Sequence, residues 1–285
     1  MKKLPFLALL LAAGLAVAAD LPSLRRDVYF LASSGLEGRR AGSVGAQVAA
    51  SYIAQRFAAL GLSPAGEEGS FFQPFTFVAN VTPGPANVLS FSGAVTLQAQ
   101  PQEFAPVPFS ASGEAEGEVV FVGYGISAPE AGYDDYQGVD VKGKVALLLR
   151  FSPAGDDPSS PFAPYLPLRR KVSDAVAKGA AAVLIATGPA SKESGEPVKV
   201  PFDYSFADAG VPVMAIATPL AERLFAGQGF TLRELQERMD SRREPASRPL
   251  PVTARIKADL QPERRQTANV LAMLPGTDPV VGHEL

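Results

Sequence analysis

The sequence predicts a β-rich α/β fold, and three observations carry that prediction. Short apolar runs rich in Val, Leu and Ile recur between residues 118 and 216, and amphipathic segments of helical period lie between them. The 26 Gly and 26 Pro imply many turns. Outside that stretch, other segments alternate apolar and polar residues with the period of a half-buried strand.

The first residues are not part of the fold. Met1-Lys2-Lys3 is a basic start, residues 4–17 are apolar but too short for a comfortable membrane span, and Val17-Ala18-Ala19 supplies small residues for cleavage. Residues 1–19 therefore read as a secretory signal peptide, cleaved near Ala19/Asp20. The mature chain is expected outside the cytoplasm, secreted or periplasmic, with no stable membrane anchor. Cleavage takes the formal charge from −3 to about −5. With no cysteine, stability must come from packing rather than disulfides.

Residues 24–32 have helical spacing. A glycine-dense loop follows, Gly35-Leu36-Glu37-Gly38-Arg39-Arg40-Ala41-Gly42. Ser43 then caps a helix over 44–60, whose stripe Val44, Val48, Tyr52/Ile53, Phe57 and Leu60 must lie against something, and Gly61 closes it. Residues 71–78 form a strand, and 87–91 with 94–98 form a hairpin turning at Ser92-Gly93. The polar, Pro/Ser/Gly-rich stretch 105–115 marks a domain boundary.

Beyond it come buried strands at 118–122, 144–149, 181–186 and 211–216. Between and after them lie helices at 166–178, from Thr218-Pro219 to about Phe225, and after the capping box Thr231-x-x-Glu234. Strands at 252–260 and 267–276, separated by a polar turn at 261–266, suit an antiparallel pair. The domains expected are 1–19 (signal peptide), 20–112 (N-terminal arm), 113–248 (central α/β domain) and 249–285 (returning strands).

Few residues carry chemistry. The only histidine is His283, with Glu284 beside it, whereas zinc sites want three or four ligands. A chain end is also a poor place to hold a triad histidine. His283 reads as a linker residue. Gly123-Tyr124-Gly125-Ile126-Ser127-Ala128 matches a dinucleotide-loop pattern after a strand. Gly132, Tyr133 and Asp134-Asp135 interrupt the helix such a site needs, so it reads as a glycine turn. Asp134-Asp135 and Asp156-Asp157 read as solvated loops, Arg39-Arg40 as a surface turn, and Arg169-Arg170-Lys171 as a solvated helix face. The charge balance and the lack of a basic block argue against nucleic acid.

Four segments in order carry a family resemblance. Residues 31–45, with the following helix and Gly61-Leu62-x-Pro64-Ala65-Gly66, resemble the N-terminal entry of secreted zinc-dependent aminopeptidases of the bacterial leucyl aminopeptidase and glutamate carboxypeptidase type. Residues 120–126, Tyr133-Asp134-Asp135-Tyr136 and 139–145 resemble the protease-associated (PA) domain inserted in many of them. Lys178-Gly179-Ala180-Ala181-Ala182-Val183 is similar to that domain's helix–strand step. Thr267-Ala268-Asn269-Val270-x-x-x-Leu274-Pro275-Gly276 resembles the strand re-entering the catalytic domain.

The resemblance implies that 20–112 and 249–285 are parts of an incomplete α/β peptidase domain around the PA domain. It implies two zinc ions in the full-length family, which generate hydroxide from a bridging water with a Glu as general base. The family's His-x-Asp and later ligands match no residue here, so no catalytic, cofactor-binding or metal residue is assigned. The chain alone is expected to be inactive, the N-terminal portion of such an enzyme. Its partners would be peptide substrates or a separate catalytic half. The alternative is a non-catalytic peptide- or protein-binding module. Without a catalytic sheet, helix 44–60 and strand 267–274 are expected to expose apolar surface.

Overall fold

The computed structural model describes residues 21–204 and 207–276. The expected signal peptide, its cleavage point and His283 lie outside the described residues. The chain divides into two compact units. One is formed by residues 80–263, and the other by 1–79 together with 264–285.

The 80–263 unit is built on an eight-stranded mixed sheet. Its centre holds β6 (Gly113–Phe121), β9 (Val145–Leu149), β10 (Ala182–Ala186) and β11 (Val213–Ile216), running parallel in that order. Beyond β11 lies the short antiparallel strand β5 (Phe104–Pro106), which ends the sheet. On the other side of β6 come β12 (Arg248–Ala258), β3 (Val88–Gly93) and β4 (Leu97–Gln98), all antiparallel.

The continuous apolar runs are explained by burial on both faces. In β9, Val145, Leu147 and Leu149 enter one core cluster while Ala146 and Leu148 enter the other, as the period of two requires. Helix α3 (Leu168–Ala177) covers the second face with Val172 and Ala175. Helices α4 (Thr218–Arg223) and α5 (Leu232–Arg242) contribute Leu220, Leu232, Leu235 and Met239 to the first. The capping box before α5 is formed: the Glu234 amide donates to Thr231 Oγ1 at 3.1 Å, and the Thr231 amide donates to Glu234 Oε2 at 2.8 Å.

This unit is wider than the expected 113–248 stretch. The polar segment 105–115 is not a seam, because β5 hydrogen-bonds to β11 and β6 begins at Gly113. Strand β12 is interior, held between β3 and β6. It therefore does not pair with the strand that follows. Its residues Val252, Ala254, Ile256 and Ala258 are buried, and that burial outweighs the shorter loop a hairpin would need. The expected turn at 261–266 is instead part of a long exposed strand, β13 (Leu260–Val270), which pairs with β2 (Phe72–Pro83).

The 1–79/264–285 unit holds α1 (Leu21–Leu31), a 3-10 segment at Ser34–Arg39, α2 (Val44–Ala59), and the pair β1 (Ser63–Pro64) with β14 (Ala272–Met273). Ser43 caps α2, accepting from the Ala46 amide at 3.2 Å. The apolar stripe of α2 is partly exposed, as expected for this helix without a catalytic sheet: Val44, Val48 and Leu60 are exposed, and Tyr52, Ile53 and Phe57 are half-buried. Gly45, Ala49 and Ala54 are buried, while Val44 is 72% and Leu60 65% exposed. Close backbone approach selects the small-residue face: a Cβ on Gly45 would stand 2.0 Å from the Leu36 carbonyl oxygen. Asp27 joins α1 to α2, accepting from Tyr52 Oη at 2.5 Å and from Arg56 Nε at 3.2 Å.

Leu184 lies at the middle of β10 with no exposed surface. Leu184→Ala is expected to destabilise the chain by about 2–5 kcal/mol, read as a lower denaturation midpoint at unchanged slope.

Candidate functional site

Two features of the 80–263 unit bring polar or ligand-accessible groups together. One is a buried latch, and the other is an open groove.

The latch forms where β6 ends. The chain turns through Gly123 (φ 50°) and Gly125 (φ 65°), conformations that favour glycine. This turn leaves amides with no strand partner, and the carboxylate of Asp135 takes them. Its Oδ2 accepts from the Tyr124 amide at 3.0 Å and the Ile126 amide at 3.1 Å, while Tyr133 Oη donates to Oδ1 at 2.8 Å. A Cβ on Gly123 would come within 2.2 Å of Asp135 Oδ1, a second reason for glycine there. From α3, Lys171 Nζ donates to the Tyr124 carbonyl at 2.5 Å. From α5, Asp240 accepts from Tyr124 Oη at 2.5 Å, and Gln236 donates to the same oxygen at 3.2 Å. Gln236 also accepts from the Ala190 amide at 2.8 Å, which ties down the loop after β10.

Asp135 and Lys171 are thus not the solvated residues the sequence suggests; both are fully buried. Burial raises the Asp135 carboxyl to about 7, against the lowering effect of its hydrogen bonds and of Lys171. Burial likewise lowers Lys171 from its ordinary range. Burial is also the main cause holding the Tyr124 and Tyr133 hydroxyls in their protonated form. The glycine turn is confirmed as a turn, followed only by the short pair β7 (Ser127–Ala128) with β8 (Tyr133–Asp134) and a 3-10 segment at Pro129–Ala131. No helix opens on it to receive a pyrophosphate. Asp156-Asp157 stays in an exposed loop, where Asp157 accepts from the Ser159 amide.

The groove lies along β5, at the end of the sheet. Its volume is about 710 Å³, and its walls include Val107, Val198, Val200 and Phe202, with Pro101 and Pro106. Among its lining residues the charged pair is Glu196 and Lys199, exposed and 3.5 Å apart. Sequence reading missed this groove because it passes over 197–202 and treats 105–115 as a seam.

Among the described residues, no three His, Cys, Asp or Glu side chains converge on a metal-sized space. The zinc pair implied by the resemblance therefore finds no donor set there. No described helix is long and apolar enough to cross a membrane.

Comparison with known proteins identifies the central segment. Residues 115–224 match the PA domain family model, so the chain carries a PA domain. Curated sequences give no match. Among solved structures, the chain is similar to the aminopeptidase from Aneurinibacillus sp. strain AM-1, at 22% identity and TM-score 0.44, covering 89% of this chain and 47% of that one. It is similar to a zinc aminopeptidase from Bacillus subtilis at 20% identity and TM-score 0.35, covering 85% and 44%. A third is a peptidase M28 precursor from Shewanella amazonensis SB2B, at 16% identity and TM-score 0.35, covering 88% and 52%. The chain spans about half the length of these structures.

Asp135→Asn preserves the latch, since the amide oxygen accepts from both backbone amides and the amide nitrogen donates to Tyr133 Oη. Asp135→Ala orphans three donors and is expected to cost about 3–5 kcal/mol. A carboxyl raised from about 3.9 to about 7 stays protonated in the folded chain after the unfolded chain has lost its proton. Its contribution is fully present below about pH 4 and declines as pH rises to about 7. Denaturant titrations across that window should show the declining contribution in the parent chain and its loss in Asp135→Asn.

Proposed function

We propose that this chain is the N-terminal and PA-domain portion of a secreted zinc metallo-aminopeptidase, inactive in peptide hydrolysis by itself. The observation that carries the reading is the PA domain at 115–224, set within a unit whose flanking segments, 1–79 and 264–285, form a compact unit of their own. This division supports a PA domain inserted in a host domain. The entry and re-entry motifs named above lie in the host segments. The signal-like N-terminus supports export.

Inactivity is proposed because the ligand motifs of this enzyme class have no match in the sequence and His283 is its only histidine. Two zinc ions would belong to the complete enzyme, held by residues other than these. The PA domain and the residues around it would then serve substrate access or recognition, with peptides as the substrate class.

A second reading is favoured by the groove along β5. The PA unit is a binding module that works with a separately encoded catalytic half. The groove is large enough for a peptide segment and has no paired strand on its outer side.

The purified 285-residue product, supplied with zinc, is expected to release no N-terminal amino acid from leucine p-nitroanilide or from short peptides. Zinc-dependent release abolished by a chelator would overturn the first reading. For the second, affinity-tagged chain expressed in its native host should co-purify with a peptidase-sized partner that restores hydrolysis; hydrolysis by the tagged chain with no partner present would count against it.

A further inference from the structure

We propose that the groove along β5 binds an extended, uncharged peptide segment through the backbone of β5 itself, as an added strand. This rests on the binding-module reading and names its ligand.

The argument starts from which backbone groups β5 has used. The Val107 amide donates to the Val213 carbonyl at 3.2 Å, and the Ala217 amide donates to the Glu103 carbonyl at 2.7 Å. Antiparallel ladders alternate, so Glu103, Ala105 and Val107 face β11. The amide and carbonyl of Phe104, and the carbonyl of Pro106, must then face the other way. Strand β5 is the last of the sheet, so no strand pairs with its outer edge, although residues 80–83 at the end of β2 also line the groove. Phe104, Ala105 and Pro106 all line the groove.

The groove therefore presents a donor and two acceptors in strand geometry. A peptide residue opposite Phe104 exchanges two hydrogen bonds with it, and a residue two positions away donates to the Pro106 carbonyl. Three residues of strand span about 10 Å, which sets the length of the paired segment at three to five residues.

Pro106 narrows the possibilities further. It lacks the outward amide a longer ladder would need, and Pro101 and Pro108 bracket the strand. One register satisfies all three outward groups, and indefinite sheet extension is blocked. The walls set the side-chain chemistry. The half-buried Val198, Val200 and Phe202 offer apolar contact to alternate side chains of the ligand. Glu196 and Lys199 are the charged lining residues and are of opposite sign, so the lining carries no net charge to complement a charged peptide.

The test uses the full chain and a defined probe. The probe is an acetylated, amidated hexapeptide of alternating valine and serine carrying fluorescein. Its analogue is N-methylated at the two central residues, which removes backbone donors and keeps the side chains. Fluorescence anisotropy should show saturable binding of the parent peptide and about tenfold weaker binding of the analogue. Phe202→Ala and Val198→Asp should each weaken the parent peptide about fivefold or more, with unchanged circular dichroism. No saturation up to about 1 mM overturns the proposal. Equal affinity for the methylated analogue also overturns it, because apolar partition alone would then explain binding. The analogue is compared on the parent chain, so this result holds even if a groove variant fails to fold. Failure of the binding-module reading would appear separately, as hydrolysis with no co-purifying catalytic partner.

Discussion

The 80–263 unit depends on one buried carboxylate. The parallel centre of the sheet requires β6 to end abruptly and the chain to leave through a glycine turn, and that turn exposes amides where water cannot reach. Asp135 answers two of them with a single oxygen and anchors Tyr133 with the other. Around it, Tyr124 presents its carbonyl to α3 through Lys171 and its hydroxyl to α5 through Asp240 and Gln236. Both helices, and through Gln236 the loop at Ala190, are thus hydrogen-bonded to the one residue, Tyr124, that lies within the turn. A hydrophobic core fixes volume, but a satisfied polar network of this kind fixes which arrangement of the layers is allowed.

Much of this was legible in the sequence, and the misses share a cause. The central strands and α3 were readable because burial on both faces leaves apolar runs, and because Leu168, Val172 and Ala175 keep the helical period. The α5 cap was readable because Thr231 and Glu234 stand at the capping-box spacing. Asp135 was not, since two adjacent aspartates beside a glycine look solvated. The available signal was the company of Tyr133 and Tyr136, whose rings are buried and flank it. Lys171 was hidden by its basic neighbours, although it lies three residues from Leu168 and four from Ala175, on the buried face of the same helix.

The other misses concern partners rather than elements. Strands β12 and β13 were each recognisable, but adjacency in sequence suggested that they pair. The buried alternation of β12 needed neighbours on both edges, and β3 and β6 supply them. In α2 the helix and its exposed apolar residues follow from the sequence, but the buried small-residue face does not, because the Gly45 approach to Leu36 is a backbone contact that residue hydrophobicity does not encode. Candidate function followed the same division: the PA segment could be identified from local motifs, while the groove is made by three chain segments distant in sequence, within residues 80–83, 101–108 and 196–202.

The pairing of β2 with β13 has a bearing on how the chain folds. The two crossings between units, after Ala79 and before Arg264, fall within these paired strands. Hydrogen bonds from the Gly84 amide to Asp259 and from the Leu271 amide to Phe71 bracket them. For the host unit, residues 80–263 amount to a closed loop of about 180 residues, whose entropy of closure as a flexible chain is roughly 4–5 kcal/mol. If that loop has already folded with its ends side by side, the host segments meet as though joined by a short turn. Completion of the 80–263 unit in that way makes two sequence-distant halves of the other unit into near neighbours along the chain.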